Sequence, residues 1–75
     1  MFFIKKRGDN VNKVAGYRVM VGLKQKEMAT ILNISRQAYS EKERGNIPFK
    51  DSEKEILKEK FKLANPNVTI DEIFF

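Results

Sequence analysis

Apolar side chains recur along this chain at helical spacing rather than in strict alternation. Four segments have helical periodicity and a shorter fifth follows them, at residues 13–21, 25–32, 36–44, 53–63 and 70–74. Because an α-helix completes one turn in about 3.6 residues, this spacing places apolar side chains on one face. Alternation of useful length is confined to residues 2–6. The pattern predicts an all-α protein, a compact bundle of about five short helices.

Capping and helix-breaking residues set the limits of these helices. The expected N-caps are residues whose side chains accept hydrogen bonds from the first backbone N–H groups of a helix: Asn12, Ser35 and either Asp51 or Ser52. The expected ends lie at residues that cannot continue a helix or that leave it readily: Gly22, Gly45 and Pro66.

The last two helices have further signals of their own. Ile56, Leu57, Phe61 and Ala64 form the apolar stripe expected for the fourth helix. The spacing Thr69-x-x-Glu72 is typical of a capping box, in which two side chains satisfy each other's backbone N–H groups. It predicts a short fifth helix that begins at Ile70.

The most informative stretch is residues 25–45, which reads as helix, short turn, helix. Ala29 allows two steeply crossed helices to approach each other closely. Asn33 tolerates the left-handed backbone of a tight turn, and Ile34 can anchor that turn to the core. The helix after the turn, at residues 36–44, then projects its first turn outward. A helix of this kind fits the major groove of B-DNA, where side chains near its N-terminus reach base edges.

Composition narrows the function. The chain has 75 residues and contains neither cysteine nor histidine. Disulfides, Cys/His zinc sites, thiol nucleophiles and histidine general bases are therefore excluded. We expect one domain at residues 12–75, preceded by an N-terminal arm at residues 1–11. We expect no enzyme, no cofactor, no metal and no small-molecule ligand.

Charge modestly favours an anionic partner, and hydropathy argues against a membrane-spanning segment. The net charge is +5, which favours phosphate polyanions or anionic lipid, although many small soluble domains carry such a charge. The longest apolar runs are too short to span a membrane, and the first residues do not form a signal peptide. We expect a cytoplasmic protein that does not bind membranes.

Specific motifs then resemble a known family. They are Leu23-Lys24-Gln25-Lys26-Glu27-Met28-Ala29, Asn33-Ile34-Ser35-Arg36-Gln37 and Glu43-Arg44-Gly45. Together they resemble the Xre/Cro/phage-repressor family of helix-turn-helix proteins, and the similarity covers roughly residues 13–74. The resemblance implies a lambda-repressor-like fold. It also implies a sequence-specific transcriptional regulator, a repressor of phage or mobile-element type, that reads DNA with the helix starting at Arg36.

The resemblance implies base contacts at four positions: Arg36, Gln37, Ser40 and Glu41. The chemistry of three of them agrees, because Arg36 can pair with guanine, Gln37 with adenine, and Glu41 with the amino group of cytosine. Each has an alternative. Arg36 could contact phosphate alone, Gln37 could be a surface residue, and Glu41 could simply face solvent.

The resemblance also implies roles outside base reading. The expected contacts to the DNA backbone are Lys24, Gln25, Lys26, Ser35, Arg44 and Asn46, with Lys42 a further possibility. Gln25 is also expected to brace the recognition helix, which is the helix that starts at Arg36. Arg18 and Glu43 match a pair that joins the first helix to the third by a salt bridge.

One position departs from the pattern of the family. Lys42 lies where an apolar residue usually packs on the core. We expect its alkyl stem to cover apolar surface while its ammonium group reaches water. Tyr39 is larger than the usual aliphatic residue at its position and can fill the remaining space.

Assembly and competing functions complete the expectations. One recognition helix reads few base pairs, so we expect a homodimer on palindromic double-stranded DNA. Ile70 and Ile73 are assigned to the protein's own core, and Phe74 and Phe75 to the dimer interface. Residues 1–11 either join that interface or lie along DNA. The alternative functions are an antitoxin whose main role is to bind a toxin, and an adaptor that has lost DNA binding.

Overall fold

A computed structural model describes residues 12–74 of the chain. These residues form five helices: α1 (Val14–Met20), α2 (Gln25–Leu32), α3 (Arg36–Glu43), α4 (Asp51–Phe61) and α5 (Ile70–Phe74). No strand occurs between residues 12 and 74. The helices make a compact unit of 35 × 28 × 22 Å. The predicted all-α bundle of five short helices is confirmed, whereas the predicted arm, residues 1–11, lies outside the described residues.

The turn between α2 and α3 takes the predicted left-handed form. Asn33 has φ = 60° and ψ = 43°, and the N–H of Ile34 donates to the carbonyl oxygen of Ala29 at 3.0 Å. This closing hydrogen bond satisfies a carbonyl that the end of α2 leaves without a helical partner. Gly22 and Gly45 also have positive φ, of 79° and 85°, after α1 and α3. Short turns with positive φ therefore set the directions of the first three helices.

Two of the predicted helix starts, those of α3 and α5, have side-chain caps, whereas the predicted N-cap Asn12 is wrong by one residue. Helix α1 begins at Val14 with Lys13 as its N-cap, and the side-chain Oδ1 of Asn12 accepts from the N–H of Val14 at 3.1 Å. At α3 the Ser35 hydroxyl accepts from the N–H of Ala38 at 3.0 Å. At α5 the predicted capping box is present. The N–H of Thr69 donates to Glu72 at 3.0 Å, and the N–H of Glu72 donates to the Thr69 hydroxyl at 3.2 Å.

The predicted start of α4 is wrong by two residues. The helix begins at Asp51, and its N-cap is Lys50 rather than Asp51 or Ser52. The Glu53 carboxylate accepts from the backbone N–H of Lys50 at 2.8 Å. That bond fixes the first turn two residues earlier than the sequence suggests, although lysine has no side-chain acceptor of its own.

The core lies between all five helices. Its fully buried side chains are Val14, Met28, Tyr39, Leu57, Phe61 and Ile73. Tyr17 of α1 stacks on Phe61 of α4 with ring centroids 5.3 Å apart. The N–H of Lys13 donates to the carbonyl oxygen of Ile73 at 2.7 Å, which ties the start of α1 to α5.

Two predictions about burial are wrong. Phe74, assigned to a dimer interface, is only 7% exposed and packs edge-on against Phe49 with ring centroids 5.5 Å apart. It belongs to the protein's own core, together with Ile73; Phe75 lies outside the described residues. Ile56, assigned to the apolar stripe of α4, is 39% exposed, because Leu57 and Phe61 define the inward face of that helix.

The prediction for Lys42 is also wrong. Its side chain is buried, and its ammonium group does not reach water. The Nζ atom instead donates to both carboxylate oxygens of Glu53, at 2.7 and 2.9 Å. The side chain is therefore committed to an internal ion pair between α3 and α4 and is unavailable for a phosphate contact.

Between residues 12 and 74, no helix combines the length and the apolar character needed to cross a membrane. The same residues contain no group of three or more acidic side chains arranged to hold a metal ion.

Candidate nucleic-acid interface

One face of α3 presents all four residues predicted to contact bases. At about 100° per residue, Arg36, Gln37, Ser40, Glu41 and Arg44 fall within an arc of about 140°. Tyr39 and Lys42 fall on the opposite side of the helix and are buried. Arg36, Gln37 and Arg44 are exposed, and Ser40 and Glu41 are half-buried. Helical geometry thus gathers the predicted base contacts on one outward surface.

The first turn of α3 is free to contact another molecule. Among residues 12–74, neither Arg36 nor Gln37 has a hydrogen bond or ion pair to another side chain. Ser35 caps the helix through its hydroxyl oxygen, so its O–H group can still donate. The guanidinium of Arg36 and the amide of Gln37 therefore keep their full hydrogen-bonding capacity, as base or phosphate contacts require.

The start of α2 holds three further predicted contacts. Lys24 and Lys26 are exposed. Gln25 is half-buried, and its Nε2 donates to Glu43 of α3 at 2.8 Å. This bond supports the predicted bracing of the recognition helix by Gln25. Its contact with phosphate stays a prediction, for which the second Nε2 proton remains.

Glu43 is the centre of a polar cluster that joins three helices. Arg18 of α1 donates to it through Nε at 2.8 Å and through Nη2 at 3.4 Å. The Tyr39 hydroxyl donates to Oε2 at 2.6 Å, and Gln25 completes the set. Arg18 also donates to the carbonyl oxygen of Leu23 at 2.9 Å. The predicted Arg18–Glu43 pair is therefore present.

The other two partners of Glu43, Tyr39 and Gln25, differ from what the sequence indicates. Tyr39 was expected only to fill space, whereas its hydroxyl binds the carboxylate. The signal was available, because Tyr39 and Glu43 are four residues apart and so share a face of α3. The partnership with Gln25 depends on how α2 packs against α3, which no local pattern reveals.

The cluster holds its carboxylate in the charged state. Burial on its own would raise the pKa of Glu43, but hydrogen bonds from Arg18, Tyr39 and Gln25 outweigh it and leave the pKa lowered. The hydrogen bond to Glu43 raises the pKa of Arg18. Burial, and then the bond to the carboxylate, raise the pKa of the Tyr39 hydroxyl, which stays protonated as a donor.

Acidification should destabilise the protein through Glu43 and Glu53. Burial would raise the pKa of Glu53 as well, but the hydrogen bonds from Lys42 and Lys50 leave it lowered. A carboxyl whose pKa is lower in the folded state stabilises above its ordinary value of 4.5. That contribution is lost as the pH falls through the lowered value. Thermal unfolding followed by circular dichroism should therefore show Tm falling between pH 5 and about pH 3.

Glu43→Gln should make Tm less dependent on pH over that range, because one of the two titrating carboxyl groups is gone. Glu59→Gln is the matched control, since Glu59 is exposed and forms an i,i+3 pair with Lys62; it should leave the pH dependence unchanged. A wild-type Tm that stays constant or rises on acidification would contradict the assignment.

Glu41, a predicted base contact, is already engaged. Its Oε2 accepts from Arg44 Nη2 at 2.8 Å, and its Oε1 accepts from Asn46 Nδ2 at 2.8 Å. Arg44 and Asn46 were predicted to contact the DNA backbone. Their presence beside Glu41 places them on the outward side of α3, but their donors face a carboxylate of the same chain.

Charge is distributed unevenly along the chain. Between residues 12 and 50, eight lysines and arginines face three acidic residues: Glu27, Glu41 and Glu43. Between residues 51 and 74, six acidic residues outnumber four lysines. Of the acids in the first part, Glu43 is neutralised by Arg18 and Glu41 by Arg44. The segment that includes α2 and α3 therefore carries the excess positive charge.

Comparisons of the chain with protein-family models, with curated proteins and with solved structures give no match.

Proposed function

We propose that this protein is a sequence-specific DNA-binding regulator of transcription that reads the major groove with α3. The observation that carries the proposal is the outward face of α3, which begins with the exposed side chains of Arg36 and Gln37, unpaired among residues 12–74. An α-helix with its side chains is about 10–12 Å across, which suits a major groove about 12 Å wide. The sequence resemblance described above supports the same function.

The surroundings of α3 suit this task. Lys24 and Lys26 supply exposed positive charge at the start of α2, and positive charge provides most of the sequence-independent affinity for DNA. The Glu43 cluster ties α3 to α1 and α2 through side-chain hydrogen bonds. A helix held in this way does not have to be ordered on binding, which favours affinity.

The proposal includes two copies of the protein on one operator. A single helix contacts only a few base pairs, and two half-sites about 34–36 Å apart place both recognition helices on one side of the duplex. Because Phe74 is buried in its own protomer, the contact between copies must use other residues.

Arg36→Ala and Gln37→Ala should each weaken binding to the preferred site by about 1–3 kcal/mol and relax the preference at one or two base pairs. The preferred site is first selected from random duplex DNA. Fluorescence anisotropy with that site and with a scrambled duplex then measures the loss for each variant. Both residues are exposed and unpaired within residues 12–74, so the variants should keep the wild-type Tm.

Lys60→Ala is the matched control for Arg36→Ala. It removes one positive charge from the exposed surface of α4, so it should leave sequence preference unchanged. An equal loss on the selected and scrambled duplexes would reduce Arg36 or Gln37 to a phosphate contact. If selection enriches no sequence and wild-type binding does not depend on salt, the proposed function is wrong.

A further inference from the structure

We propose that Glu41 couples base recognition to phosphate contact, an inference that rests on the proposed function. In the free protein the Glu41 carboxylate holds Arg44 and Asn46, and a cytosine amino group at the correct site replaces Arg44 as a donor. Arg44 is then released to the DNA backbone. We call these three residues, Glu41, Arg44 and Asn46, the Glu41 clamp.

The geometry of the clamp is specific. Each carboxylate oxygen of Glu41 accepts one hydrogen bond, from Arg44 Nη2 and from Asn46 Nδ2, both at 2.8 Å. The backbone N–H of Asn46 also donates to the carbonyl oxygen of Glu41 at 2.9 Å. Gly45 makes this turn possible with φ = 85°. The end of α3 thus brings both donors back onto a residue of the outward face.

The clamp lies where it can open. The Arg44 side chain is 62% exposed and the Glu41 side chain 30% exposed. Ion pairs at such exposed positions are weak, because water competes for both charges. The other carboxylate of α3, that of Glu43, is only 7% exposed and already accepts hydrogen bonds from three side chains of its own chain. Glu41 is therefore the carboxylate of α3 that a DNA ligand can reach.

The clamp should respond differently to DNA that has a cytosine opposite Glu41 and to DNA that has another base there. Where Glu41 faces a cytosine, the one N4 hydrogen that base pairing leaves free can donate to the carboxylate in place of Arg44, which leaves Arg44 free to contact phosphate. Where Glu41 faces another base, DNA offers no donor to the carboxylate, and the carboxylate keeps its hydrogen bonds from Arg44 and Asn46. Arg44 then neutralises no phosphate, and Glu41 adds negative charge beside the DNA backbone. The clamp therefore lowers affinity for non-specific DNA more than for the correct site.

Glu41→Ala tests the clamp on the selected site and on a scrambled duplex across a series of salt concentrations. The variant should bind the scrambled duplex more tightly, by about tenfold at 0.1 M salt, because one more phosphate is neutralised. Its plot of log K against log salt on that duplex should steepen by about 0.9. The preference for cytosine at one position should disappear.

Arg44→Ala separates the clamp from a simple loss of charge. If the clamp holds Arg44 on non-specific DNA, this variant should weaken binding to the selected site while changing the scrambled-duplex affinity little. The double variant Glu41→Ala/Arg44→Ala should lose the gain in non-specific affinity that Glu41→Ala produces alone. Circular dichroism of each variant checks that the helices are intact.

The outcomes separate this inference from the proposed function. Wild-type protein that binds DNA while Glu41→Ala matches it in scrambled-duplex affinity and salt slope would overturn the clamp alone. Equal losses from Arg44→Ala on both duplexes would overturn it too. Wild-type protein with no salt-dependent DNA binding would overturn the proposed function, and the clamp with it.

Discussion

Lys42→Met should lower the free energy of unfolding by about 3–5 kcal/mol. The substitution leaves the Glu53 carboxylate, only 7% exposed as a side chain, without the ammonium group that neutralises it. An unpaired buried charge loses its hydration without gaining a partner, so the cost exceeds that of losing one hydrogen bond. Chemical denaturation with urea, followed by circular dichroism, measures the change.

Two variants test this explanation. Lys42→Met/Glu53→Gln should recover about half of the loss, because a buried neutral amide costs less than a buried charge. Its Oε1 can still accept from the N–H of Lys50, so the start of α4 is preserved. Glu59→Gln, at the exposed Lys62–Glu59 pair, should change stability by at most about 1 kcal/mol. A loss below about 1 kcal/mol for Lys42→Met would show that water reaches Glu53 after all.

The Lys42–Glu53 pair shows where prediction from sequence stops. The core-side position that the family resemblance implies for Lys42 is confirmed, since the residue is buried opposite Arg36 and Gln37. The fate of its ammonium group depends on the path of residues 44–50, which brings Glu53 within 2.7 Å. Without that path, a lysine at the core boundary is expected to extend toward water. Its actual partner is eleven residues away and lies on another helix.

Signals confined to a few residues predicted local structure well. The bounds of α2, the Ser35 cap, the left-handed Asn33 and the Thr69–Glu72 capping box each depend on hydrogen bonds within one turn. Such bonds form wherever the segment lies in the fold. The start of α4 was missed because two good capping residues, Asp51 and Ser52, compete with a bond that Glu53 makes backwards to Lys50.

Prediction from the sequence fails at the C-terminus and on α3 for the same physical reason: the outcome depends on residues that are not close neighbours in the sequence. Apolar character alone cannot distinguish a residue that closes its own core from one that meets a second copy, and Phe74 is placed in the core by Phe49 of a distant loop. On α3, periodicity predicts which side chains face outward. It does not reveal that Glu41 is held by Arg44 and Asn46, because that arrangement depends on the turn at Gly45.

Arg18→Met should lower the free energy of unfolding by about 2–4 kcal/mol, again because it leaves a carboxylate of low exposure without its cation. The side chains of Arg18 and Glu43 are 15% and 7% exposed. Glu43 keeps its bonds from Tyr39 and Gln25 in this variant, so the loss should be smaller than for Lys42→Met. A double-mutant cycle with Glu43→Gln should give a coupling energy of about 1–3 kcal/mol.

The Arg44–Glu41 pair serves as a control for the Arg18–Glu43 pair. Each pair joins an arginine to a glutamate of α3, and each has an N···O distance of 2.8 Å. They differ in exposure, since Arg44 and Glu41 are 62% and 30% exposed. If burial rather than distance sets the strength of an ion pair, the cycle for Arg44 and Glu41 should give at most about 1 kcal/mol. Equal coupling in the two cycles would contradict that reasoning. It would also mean that the Glu41 clamp is too strong to exchange Arg44 for a cytosine.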